Sequence, residues 1–276
     1  MLKQRIHTTI TLLLILLLAI FSDWTGIVVL LMAAVAACEW GGLAGLEPRG
    51  RIAFGGFLFF LCLGVKVFLS YQWLTEVWLP LGIMAAPFWF LIAPIWLLRW
   101  RLNRTAWGQA LLLFLGVYLI FSAWAAFVYL QLIGKGFLLW VLGIAWVTDG
   151  SAWFAERRFG GKKLAPELHS SRTWTGVRWA LAGTLLYGLV SMGFLMRFYP
   201  SVGWLAGAFA FFLPPLLLVP GMLGNLFESF VKCQAGVKNS SRFLPGHGGL
   251  LDRISSLMAI LPCCAFYTIF FMLFGD

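Results

Sequence analysis

The residues best placed to do chemistry lie near the C-terminus, between Gly224 and Ile254. Asn225, Ser229 and Lys232 are spaced by four and three positions, so a helix carries their amide, hydroxyl and ammonium on one face. Lys238 follows, then Pro245-Gly246-His247-Gly248-Gly249, then Leu250-Leu251-Asp252-Arg253. A glycine-rich turn that runs into a helix exposes backbone N–H groups with the helix dipole behind them, which suits phosphate. Asp252 falls in the first turn of that helix, where a carboxylate can hold Mg²⁺ against phosphates. Each residue also has a plainer role. Glu228 and Lys232 have the spacing of an i,i+4 ion pair, Asp252 can complement a helix dipole, and the glycines can simply turn the chain. Their conjunction favours a functional site.

A second polar stretch runs from Asp149-Gly150-Ser151 through Lys163-Leu164-Ala165-Pro166 to Arg172-Thr173-Trp174. Asp149 sits inside an otherwise apolar run, where an acid is costly and marks either a catalytic group or a buried acceptor that fixes helix packing. Arg172 and Thr173, just ahead of a helix, can reach a phosphate. Glu39 and Lys66 also interrupt apolar runs, but no motif surrounds them, and interfacial snorkelling accounts for both.

The elements that must position these groups are transmembrane helices. Of 276 residues, 62% are hydrophobic and 11% charged, and the mean hydropathy is +0.92. A soluble domain of this length has no place to hide so much apolar surface. The expected fold is all-α, a polytopic integral membrane protein of about nine spans. We place them near 8–22, 26–46, 53–73, 77–98, 106–131, 136–156, 176–196, 204–231 and 254–274. The whole chain, 1–276, reads as one membrane domain, with the helices of 1–131 as scaffold and 136–276 carrying the polar loops. Lys3 and Arg5 precede an apolar run with no small-x-small site before Asp23-Trp24, so an uncleaved first helix is expected.

The net charge of +10 falls in short loops between spans, where it reads as a topology signal and as contacts for anionic headgroups rather than for nucleic acid. Seventeen of the 20 Lys and Arg fall on one side of the alternation; the exceptions are Lys66, Lys135 and Arg197. The positive-inside rule then places the N-terminus and the loops at 157–175 and 232–253 in the cytoplasm, and Asp276 outside. The five cysteines show neither metal-ligand spacing nor a disulfide framework.

The sequence resembles the phosphatidate cytidylyltransferase (CDP-diacylglycerol synthase) family. The C-terminal pattern of that family is Ser-x-apolar-Lys-Arg, Lys-Asp, then Pro-x-His-Gly-Gly-x-x-Asp-Arg-x-Asp. Ser229, Lys232, Lys238, Pro245, His247, Gly248, Gly249, Asp252 and Arg253 stand at matching places. Glu39-Trp40-Gly41, Lys163-Leu164-Ala165-Pro166 and Thr173-Trp174 are similar to the bacterial branch. The resemblance implies a bacterial inner-membrane enzyme that joins phosphatidic acid, or a related lipid phosphate, to CTP with Mg²⁺ or another divalent ion. CDP-diacylglycerol and pyrophosphate are the products, and a homodimer is the expected assembly. It also implies roles. Ser229, Lys232, Lys238, His247, Gly248, Gly249, Arg253, Arg172 and Thr173 would bind nucleotide or phosphates. Lys232, Asp252 and Asp149 would be catalytic, with the metal held by Asp252 and Asn225.

The chain departs from the pattern at several positions. Asn225 stands where bacterial members usually carry Asp, Asn239 replaces the Asp of Lys-Asp, Ser255 the last Asp, and Cys233 an Arg. Two other functions stay open on the residues alone. One is a non-enzymatic relative that binds lipid or nucleotide. The other is a transporter using Asp149, Lys66 and Glu39. Transport predicts paired broken helices; Pro214, Pro215 and Pro220 break one span, and no counterpart repeat accompanies it.

Overall fold

The computed structural model describes residues 14, 16–22, 24–68, 85–99, 106–168, 171–241, 243 and 248–274. Where lipid replaces water, each backbone N–H and C=O must find its partner within the chain, and the helix does this locally. Accordingly the described residues form helices, apart from turns and one isolated antiparallel bridge between Lys163 and Thr173. They are α1 (Thr25–Leu43), α2 (Pro48–Phe68), α3 (Ala93–Arg99, preceded by a π-turn at Phe88–Ile92), α4 (Ala106–Ile133) and α5 (Lys135–Phe159). After them come α6 (Trp174–Phe198), α7 (Gly203–Ala235), the single-turn α8 (Leu251–Ile254) and α9 (Leu257–Phe274).

Among the described residues, six helices are long and apolar enough to cross a membrane: α1, α2, α4, α5, α6 and α7. Ala85–Leu98 and Leu257–Met272 are shorter apolar helices. These eight overlap the expected spans from 26–46 to 254–274, while the start of 8–22, the end of 53–73 and the start of 77–98 lie outside the described residues. This is the architecture of a multi-pass membrane protein. Large side chains such as Phe60, Val190 and Phe212 point outward, more than 60% exposed, as contact with lipid requires.

The core sits where α1, α4, α5, α7 and α9 meet. Trp40 is buried there and its indole N–H donates to the Leu112 carbonyl at 2.7 Å, tying α1 to α4. Phe227 of α7 is buried among Trp89 and Trp96, stacked on the latter with ring centroids 6.0 Å apart. The 33 residues of α7 span roughly 50 Å at 1.5 Å per residue, against a hydrocarbon core of about 30 Å, so one end must project beyond the hydrocarbon.

Small residues let the helices around the site approach closely. A Cβ on Gly224 would meet the Ser255 carbonyl and the Ala259 methyl, and one on Gly188 would meet the Phe211 carbonyl of α7. Gly224→Ala and Gly188→Ala are each expected to cost about 1–3 kcal/mol through overpacking. Thermal unfolding in detergent checks this. Gly64→Ala is the control, because nothing lies within 4 Å of the position its Cβ would take.

Candidate functional site

Polar side chains gather where the C-terminal ends of α1, α5 and α7 meet the start of α9. They form two acid–cation centres. In the first, the Lys232 ammonium of α7 lies 2.7 Å from Asp252 Oδ1 and 2.7 Å from Glu228 Oε1. The contact with Asp252 is an aligned hydrogen bond, whereas that with Glu228 is a charge contact, since Glu228 Oε1 has no hydrogen-bond partner. The i,i+4 pair anticipated as a plain alternative is therefore present, and the ammonium reaches Asp252 as well.

The second oxygen of Asp252 accepts from the backbone N–H of Gly249 at 2.8 Å and from the N–H and hydroxyl of Ser240 at 3.1 and 3.2 Å. Burial disfavours the ionised form of Asp252. The neighbouring Glu228 and Lys232 side chains, the Gly249 N–H and the Lys232 charge outweigh it, and hold the carboxyl at about 2. Gly248 has φ +85°, and a Cβ there would crowd Asp252 Oδ2, so glycine is required on both counts.

The second centre is built on Asp149 of α5. Its Oδ1 accepts from Arg172 Nη2 at 2.6 Å and from Asn225 Nδ2 at 2.8 Å, and its Oδ2 from the Ser256 hydroxyl at 2.6 Å. Arg172 also lies 3.7 Å from Glu156 Oε2. A closed loop delivers the arginine: the Leu164 N–H donates to the Arg172 carbonyl at 2.8 Å and the Trp174 N–H to the Lys162 carbonyl at 3.0 Å. Thr173 caps α6 through Oγ1, which accepts from the Gly176 N–H, and its own N–H donates to Glu156 Oε1 at 3.2 Å.

The structure brings Asn225, Asp149 and Arg172 together and separately joins Lys232 to Asp252. Ser229, on the same face of α7, donates to the Asn225 carbonyl at 2.9 Å and keeps its oxygen lone pairs for a ligand. Lys238 and Arg253 are exposed at the surface. His247 lies outside the described residues.

Two features of the geometry bear on the expected ligands. The N–H groups of the glycine-rich turn were read as a phosphate cradle. Here they bind the protein's own carboxylates: Gly249 N–H goes to Asp252, and Leu250 and Leu251 N–H go to Glu39 at 2.9 and 2.8 Å. Asn225 and Asp252 were expected to face one another across a metal. Instead the Asn225 amide is held between Asp149 and the Ser255 hydroxyl, which donates to Asn225 Oδ1 at 2.8 Å. Each carboxylate oxygen of Asp149 and Asp252 already accepts from an N–H or O–H, and no group of three or more His, Cys, Asp or Glu gathers among the described residues.

Glu39, assigned to snorkelling from the sequence, is 6% exposed and accepts four hydrogen bonds. Its sequence signals were the cost of an acid within an apolar run and the resemblance of Glu39-Trp40-Gly41 to the bacterial branch. Ser240 and Ser256 carried no signal at all.

Fold and site define a multi-pass membrane protein with paired acid–cation centres at one end of its helices. The chain matches the cytidylyltransferase family over residues 3–271. It is 34% identical over 272 residues to a phosphatidate cytidylyltransferase of Pseudomonas aeruginosa, covering 96% of each chain. It is 31% identical over 290 residues to that of Haemophilus influenzae, covering 98% of this chain and 99% of the relative. The chain belongs to the cytidylyltransferase family.

Proposed function

We propose that the protein is a phosphatidate cytidylyltransferase that condenses phosphatidic acid with CTP. The observation that carries this reading is the meeting of Lys232 and Asp252 at 2.7 Å, 20 positions apart, within a chain matched to the family nearly end to end. In the reaction a phosphate oxygen of the lipid bonds to the α-phosphorus of CTP. The bond from that phosphorus to the bridging β-phosphate oxygen breaks, and pyrophosphate leaves.

The task is stabilisation of phosphate charge and in-line placement more than proton abstraction. Lys232 supplies a fixed ammonium, held in place by Asp252 and Glu228. Arg172, aligned by Asp149 and Glu156, supplies a guanidinium. Lys238 and Arg253 offer exposed positive charge to the β- and γ-phosphates, and the Ser229 oxygen offers an acceptor to the nucleotide. Mg²⁺ is expected to arrive on the triphosphate, since this ion usually binds through one or two carboxylates plus substrate phosphates. The lipid enters sideways from the bilayer of the bacterial inner membrane. A homodimer is the expected assembly, and no nucleic acid takes part.

Purified protein supplied with labelled CTP, phosphatidic acid and Mg²⁺ should form CDP-diacylglycerol and pyrophosphate in equal amounts. Failure to form either at any Mg²⁺ concentration would overturn the reading. It would favour binding without turnover, for which one observation speaks: Asn225 and Ser255, both in places where the family carries acids, form a neutral hydrogen bond. Reporter fusions test the orientation. One placed after Gly161 should report the cytoplasm and one after Asp276 the outside; both in the same compartment would refute the alternation.

A further inference from the structure

We infer that Glu39 is a positioning residue for Asp252. It acts from the first described long helix on a segment some 200 residues away in sequence; the reaction it would serve is the one just proposed. Glu39 Oε1 accepts from the Ser241 hydroxyl at 2.7 Å and from the Leu250 N–H at 2.9 Å. Its Oε2 accepts from the Ser240 hydroxyl at 2.9 Å and from the Leu251 N–H at 2.8 Å.

The carboxylate thereby gathers two segments that both hold Asp252. One is the 240–241 loop, whose Ser240 also donates to Asp252 Oδ2, and the other is the turn whose Gly249 N–H does the same. Position 249 records the closeness of this packing. A Cβ there would collide with both the Glu39 carboxylate and the Ser240 hydroxyl, so Gly249 is required by Glu39 itself. The neighbouring Trp40, bonded to the Leu112 carbonyl, fixes the end of α1 against α4 and gives Glu39 a rigid base. All four acceptor positions are used by donors, so a carboxamide is a poor substitute: its NH₂ would face a backbone N–H or a hydroxyl.

The experiment uses full-length protein in proteoliposomes and compares Glu39→Gln, Ser191→Ala and the parent. Ser191 accepts the indole N–H of Trp140 at 2.7 Å, far along α6 from this site, and its replacement controls for a general loss of stability. Amide exchange is read on the peptide covering 248–256, and kcat and KM for CTP are measured on the same preparations. Glu39→Gln should speed exchange at 249–251 at least tenfold and lower kcat at least tenfold. The KM for CTP should change less than threefold, because Arg172, aligned by Asp149 and Glu156, is held without Glu39. Ser191→Ala should do neither.

Unchanged exchange, or faster exchange with unchanged kcat in an active parent, would overturn the inference. A loss confined to KM would also overturn it, as would an equal loss in Ser191→Ala. If the parent forms no product while Glu39→Gln still loosens 249–251, the enzymatic reading fails and Glu39 remains a structural clamp, so the two failures are told apart.

Discussion

Lys232→Ala is expected to lower CTP-dependent turnover by about 10²–10³-fold, the usual consequence of removing a preorganised donor to a charged transition state. It should also lower stability by about 3–5 kcal/mol, because Glu228 and Asp252 would be left as adjacent acids with their cation gone. Their side chains are only 9% and 8% exposed, so water cannot replace that charge. The two effects are separable. Adding Glu228→Gln to Lys232→Ala removes one of the stranded charges and should restore much of the stability, read by thermal unfolding in detergent, while turnover stays low. Recovery of turnover together with stability would assign Lys232 to folding alone. Asp252→Asn, which keeps the shape but loses the charge opposite Lys232, should likewise depress kcat.

Asn225→Asp should make the stability of the protein depend on divalent metal. The Asn225 amide donates to Asp149 at 2.8 Å, so an acid at this position sets two carboxylates at hydrogen-bond distance, with Arg172 already shared with Glu156. In EDTA the melting temperature should fall by roughly 5–10 °C, in keeping with a loss of a few kcal/mol. Mg²⁺ should restore it, as a hard cation prefers charged oxygen ligands. Asn239→Asp, exposed in the loop, should show little of either effect. The parent should melt at the same temperature in EDTA and in Mg²⁺ when no nucleotide is present. A rise with Mg²⁺ alone in the parent would reveal a resident metal site and refute delivery of the ion by CTP.

The helices were legible because a membrane span is a local property. Any window such as 106–131 carries its own apolar signature, and the structure places α4 at Ala106–Ile133. The shared face of Asn225 and Ser229 was legible for the same reason, being fixed by helical periodicity. Asp149 was legible by its cost, though its partners Arg172, Asn225 and Ser256 were not: they lie 23, 76 and 107 positions away. The glycine-rich turn was read as a phosphate cradle, and in the structure its N–H groups meet the protein's own carboxylates. Its spacing carries no sign that the anion comes from α1, because nothing near Glu39 in sequence shares its chemistry. Pairing across distant helices is decided by packing, as at Gly224 against Ser255, and no sequence window contains both sides.

The bond between Glu39 and the Leu250 N–H joins residues 211 positions apart, and this sets an order of events during biosynthesis. At about 5–20 residues per second, roughly 10–40 s separate the emergence of Glu39 from that of its partners. For that interval the nascent chain carries an acid at the end of an apolar helix whose four donors have yet to be translated. The membrane interface, or an insertion factor, must shelter that charge meanwhile. Chains that stop short of residue 240 never acquire the four donors that Glu39 uses in the completed fold.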